Sequence, residues 1–77
     1  GVDVFGNFIS KNTFETDHIY PRFLGGHSSI ENGIPLSHES NLEKSDNLSG
    51  TINGRTFEIK GTKEKGELFV NGRKVSK

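Results

Sequence analysis

Cysteine and tryptophan are absent from this sequence, proline occurs twice, and apolar residues make up only 29% of its 77 positions. Without cysteine there are no disulfides and no thiolate zinc sites. A single domain of this length, residues 1–77, buries only about 60% of its unfolded surface and commonly leans on a covalent or metal staple. What remains is a metal held by oxygen and nitrogen ligands, or no staple at all. No apolar run approaches the roughly 20 residues of a membrane span, and nothing at the start has the pattern of a signal peptide. No membrane partner is therefore expected. A start at Gly1 rather than Met suggests a trimmed chain or a domain cut from a longer protein.

No charge of one sign dominates the whole, yet the two signs are segregated. Residues 1–50 hold three Lys/Arg against seven Asp/Glu, and residues 51–77 hold seven against three. An acidic front half suits a cation and a basic back half suits a polyanion; separate solvated faces give the same numbers.

Residues 1–13 are rich in Gly and Asn, and Val4, Phe5, Phe8 and Ile9 are expected to pack there as an irregular lead-in or a loose hairpin. Phe14 to Ile19 alternate as a short strand, which Tyr20-Pro21 closes. "RFLGGHSSIENG" reads as a loop with a turn at Asn32-Gly33, and Ile34-Pro35-Leu36 returns as a second strand. Ser37 is a natural N-cap for a helix over "HESNLEKSDNL", ending before Gly50. In the last third, Asn53-Gly54 and Asn71-Gly72 sit between strand-like flanks and predict two hairpins, with Ile52 opposite Arg55 and Val70 opposite Arg73.

The stretch "TDHIYPRFLGGHSSIEN" concentrates groups suited to phosphodiester hydrolysis, which needs a deprotonated water, neutralised phosphate charge and a stabilised leaving oxygen. Asp17 and His18 are adjacent on a strand, so their side chains point to opposite sides, one suited to a metal and one to a water. Glu15 shares the face of Asp17, and Asn41 on the predicted helix offers a neutral amide oxygen to a hard cation. Ser45, one turn after Asn41, and His38, three residues before it, are rival ligands.

Through "DHIYP", Gly25-Gly26, "ENGIPL" and "SNLEKSDN", the chain resembles the HNH (ββα-metal) nucleases, with His18, Asn32 and Asn41 at the three signature positions. The spacing is especially similar to the HNH domain of RNA-guided CRISPR effectors, where the third position is likewise Asn. The resemblance implies an α+β fold: a small ββα-metal core over about residues 14–48, carrying a C-terminal β-hairpin extension over 50–77. It implies a metal-dependent endonuclease, with His18 as general base and Asn32 orienting the loop that holds it. Asp17 and Asn41, joined by Glu15, would bind Mg²⁺, or Mn²⁺ in its place. DNA is the implied substrate and a bacterial or phage cytoplasm the implied setting. Many members carry paired cysteines for a structural zinc; Ser37 and Ser40 stand where such cysteines could sit, so no structural zinc is expected.

Around this site, Arg22 is either a loop ion-pair partner or a clamp on the phosphate. His27 is a solvent-facing loop residue and Lys44 a solvated helix lysine. Arg55, Arg73, Lys63 and Lys65 are expected to grip the DNA backbone without reading bases. The opposing view is a non-catalytic nucleic-acid-binding or assembly module, which the basic tail alone supports. A general base beside a hard-metal ligand favours the enzyme.

Overall fold

A computed structural model describes residues 1–76; Lys77, counted above with the basic tail, lies outside the described residues. After an N-terminal turn, β1 (Glu15–His18) pairs antiparallel with β2 (Gly33–Leu36). Between them the chain makes two 3-10 turns, at Arg22–Leu24 and Ile30–Asn32. The helix α1 (His38–Lys44) follows β2 directly. It starts where Ser37 accepts a hydrogen bond from Ser40 N at 3.0 Å, satisfying one of the free N–H groups of the first turn.

The rest is one antiparallel meander of β3 (Ser49–Ile52), β4 (Arg55–Gly61), β5 (Gly66–Val70) and β6 (Arg73–Lys74), in that spatial order. Asn53-Gly54 and Asn71-Gly72 turn with positive φ at both residues, and Ile52 faces Arg55 as Val70 faces Arg73.

This corrects the expected fold of a small ββα core with appended hairpins. Among the described residues the protein is mostly sheet, with six strands in two antiparallel sheets and one seven-residue helix. The reason lies in the core. Phe5, Ile19, Ile34 and Leu36 pack into one cluster with Ile52, Phe57, Ile59 and Leu68, so the meander supplies half of it. Such a small core closes only when both sheets contribute. Gly50, expected to lie beyond a helix, is inside β3, where the Phe57 ring lies against it. The helix ends earlier, at Lys44, with Ser45 at a positive φ of 47°.

The lead-in is tied down by polar groups as well as by Phe5. Asp3, nearly buried, accepts from the backbone N–H groups of Phe5, Asn7 and Ser37. Asn7 Nδ2 donates to the buried Ser40 Oγ at 2.8 Å, so Asp3 and Asn7 fasten this turn to the start of α1. Phe8, expected to pack, is 72% exposed.

Candidate functional site

Strand β1 presents alternate residues to α1. Glu15 and Asp17 point at the helix, where His38, Asn41 and Lys44, three residues apart in turn, line the facing side. Glu15 uses both oxygens: Oε1 accepts from Asn41 Nδ2 at 2.7 Å and Oε2 lies 2.8 Å from His38 Nδ1. The Asn41 bond, then that of His38, holds the Glu15 carboxyl below the ordinary carboxylate range.

Lys44 is not a solvated lysine. Its side chain is 0% exposed, and Nζ lies 2.7 Å from Asp17 Oδ2 while donating to the His18 carbonyl at 2.9 Å. The ammonium is aligned on that carbonyl, which leaves Asp17 Oδ2 buried without a well-directed donor. Desolvation raises the Asp17 carboxyl above its ordinary value, against the opposing pull of Lys44. The three-residue spacing of His38, Asn41 and Lys44, set against Glu15 and Asp17, is the signal that could have placed Lys44 inward.

His18 leaves the strand on the other side. Its Nε2 lies 3.0 Å from Ser28 Oγ, a partner that no sequence pattern singled out. Asn32, 1% exposed, spends its whole amide on backbone. Its Oδ1 accepts from Tyr20 N at 2.9 Å and Gly66 N at 3.1 Å, and its Nδ2 donates to Tyr20 O at 3.1 Å and His27 O at 2.9 Å. Asn32 thus clamps both ends of the loop that carries Arg22 and Ser28 onto the start of β5. It holds backbone and has no capacity left for a ligand.

The basic residues divide. The β4–β5 turn carrying Lys63 and Lys65 docks on that loop, through His27 N to Lys63 O at 2.7 Å and through Ser29 Oγ to Glu64 O. The Lys63 side chain lies over Gly25, one turn from Arg22. Arg55 and Arg73 lie at the other end of the meander, about 20 Å away along β4. Arg55 donates to Val4 O at 3.1 Å. The structure therefore sets Lys63 against the loop that carries Arg22 and Ser28, turns Lys65 to a separate groove with Glu31 and Glu67, and leaves Arg55 and Arg73 at the far end of the meander.

For a hard divalent cation the donor set is mixed. Asp17 offers a buried oxygen lacking an aligned donor, and Asn41, donating through Nδ2, keeps its carbonyl oxygen as an acceptor. Both are oxygen ligands of the kind Mg²⁺ and Mn²⁺ favour. Glu15 is already engaged by His38 and Asn41, and Ser45 caps the helix through its N–H to Asn41 O. Among the described residues no three or more His, Cys, Asp or Glu gather as a metal site, so Asp17 and Asn41 would carry the cation with water completing the shell.

No family model matches the chain, and no curated protein or solved structure matches it. Among the described residues no helix is long and apolar enough to cross a membrane.

Proposed function

We propose that this protein is a metal-dependent HNH-type endonuclease that hydrolyses phosphodiester bonds in DNA within a bacterial or phage cytoplasm. The observation that carries the proposal is the pairing of opposite faces at the end of β1: Asp17 turned to α1, where Lys44 meets it and Asn41 meets its strand neighbour Glu15, and His18 turned to the Ser28 loop. Asp17 and Asn41 would hold a divalent cation, which when bound would supply charge neutralisation at the phosphate and at the leaving oxygen. His18 takes the proton of the attacking water at Nε2, the nitrogen that Ser28 now meets. Glu15 holds the Asn41 amide through Nδ2, which leaves its carbonyl oxygen as the atom for a cation, and Asn32 keeps the Ser28 loop in register with His18. Arg22, Lys63 and Lys65 grip the phosphates.

A second reading, a nucleic-acid-binding or assembly module without catalysis, is favoured by one observation: Lys44 already neutralises Asp17. Incubating supercoiled plasmid with the protein and Mg²⁺ or Mn²⁺, with and without chelator, separates the two. The enzyme reading expects nicking that chelator abolishes and that His18→Ala slows by about 10²–10⁴-fold. Intact plasmid under both metals, or undiminished cutting by His18→Ala, would sink it.

A further inference from the structure

Phe14, Thr16 and His18 alternate along one face of β1, away from Glu15 and Asp17. Beside that face runs an open groove of about 740 Å³. Ile9, Phe14, Ile30 and Pro35 make its apolar surface, Lys11 stands at its rim, and Ser28 closes the end next to His18. Among the described residues no acidic side chain lines it. Phe14 is 44% exposed and Ile30 92%, a large apolar exposure for a chain with so thin a core.

We infer that this groove receives an unpaired nucleobase flanking the phosphate at His18, so that the preferred substrate is single-stranded or locally unpaired nucleic acid. The inference rests on the nuclease reading for what happens at His18, but not for the groove itself. In a duplex each base keeps both faces stacked within the helix, whereas a single strand offers a free π-face to an aromatic ring. Here Phe14 is that ring. Charge complementarity selects the occupant: no acidic side chain lines the groove and Lys11 does, which suits the polyanionic backbone that carries the base. The Phe14 to His18 span of about 13 Å is within reach of a short extended strand.

The test is fluorescence anisotropy in chelator, where nothing is cut, with a short labelled single strand and a hairpin duplex of the same composition. The single strand is expected to bind more tightly, and Phe14→Ala to weaken it by about 5- to 150-fold while leaving duplex binding unchanged. Ile30→Ser, at a position that contributes nothing to the buried core, is expected to weaken the single strand in the same direction without unfolding the protein. Equal losses on both nucleic acids, no loss on either, or no binding at all would overturn the inference. So would a dimer by sedimentation that Ile30→Ser dissociates, since the groove would then belong to a second copy. Phe14-dependent strand binding by a protein that never cuts would remove the nuclease reading and leave the groove assignment standing. Efficient duplex cleavage indifferent to Phe14→Ala would do the reverse.

Discussion

An ammonium group with no exposed side-chain surface has to be compensated where it lies, and Lys44 has only Asp17 and the His18 carbonyl for that. Removing one member of such a buried pair typically costs about 3–5 kcal/mol. That is comparable with everything a core of this size provides. Lys44→Met alone is therefore expected to be largely unfolded in urea titrations at room temperature, whereas Asp17→Leu with Lys44→Met, which removes both charges, should lose much less than the two single changes added together. Acidity adds a second residue-level expectation. Burial pushes the Asp3 carboxyl up, but hydrogen bonds from Ser40, Ser37 and Asn7 outweigh it and the net shift is downward; the Asp17 carboxyl is shifted upward. A lowered carboxyl stabilises the fold above about pH 3.9, and that contribution is lost as pH falls through the folded value. A raised one does the opposite: between about pH 3.9 and its folded value, stability declines as pH rises. Unfolding free energies measured across pH should show Asp3→Asn flattening the acid-side loss and the double change Asp17→Leu with Lys44→Met, which strands no charge, flattening the decline above it. The same slopes in wild type and both variants would contradict these assignments.

Among the elements, the start of β5 is tightly constrained, because Gly66 N donates to Asn32 Oδ1 and a Cβ on Gly66 would meet that oxygen at 2.5 Å and Tyr20 N at 2.7 Å. Neither neighbour is a free side-chain end, so Gly66→Ala has to lift β5 from the clamp. The expected cost is about 1–3 kcal/mol, with faster amide exchange at Tyr20; an unchanged Tyr20 exchange rate would mean that the loop is held elsewhere. How much of this was readable from sequence differs by element. Ser37 as cap and the two Asn-Gly turns were legible because a short side-chain bond and a left-handed backbone each belong to one or two residues. "GTKEKG" has no turn signature of the Asn-Gly kind, and it forms the β4–β5 turn, closed by Thr62 and Lys65, because its pairing depends on strands already in register. The inward turn of Lys44 and the burial of Asp3 were hidden for a related reason: a charge reads as solvated until the opposing partner, dozens of residues away, is placed beside it. At the site, Asp17, His18 and Asn41 stood out by residue type and order, while Ser28 could be found only through the fold of its loop.

At the scale of the molecule, both sheets share one core, and a chain cut after residue 48 loses Ile52, Phe57, Ile59 and Leu68 together. Residues 1–48 alone are expected to give no cooperative thermal transition; a folded fragment would mean that the first sheet and α1 suffice. The division of the basic residues makes a separate prediction. If Lys63 and Lys65 each contact a phosphate, changing both to Gln should flatten the slope of log K against log salt by about 1.4–1.8. Arg55→Gln with Arg73→Gln, at the far end of the meander, should leave that slope nearly unchanged. Equal effects would mean that nucleic acid wraps the whole sheet. The N-terminal turn has a consequence of another kind. Its anchors are distant in sequence: Asp3 to Ser37 N spans 34 residues, and Asn53 Nδ2 to Phe5 O spans 48. The hairpins of the meander close over a few residues each, and short closures come first. On a ribosome the segment carrying Phe5 is thus made before its anchors and placed after them, waiting without a partner until the Asn53 turn has emerged.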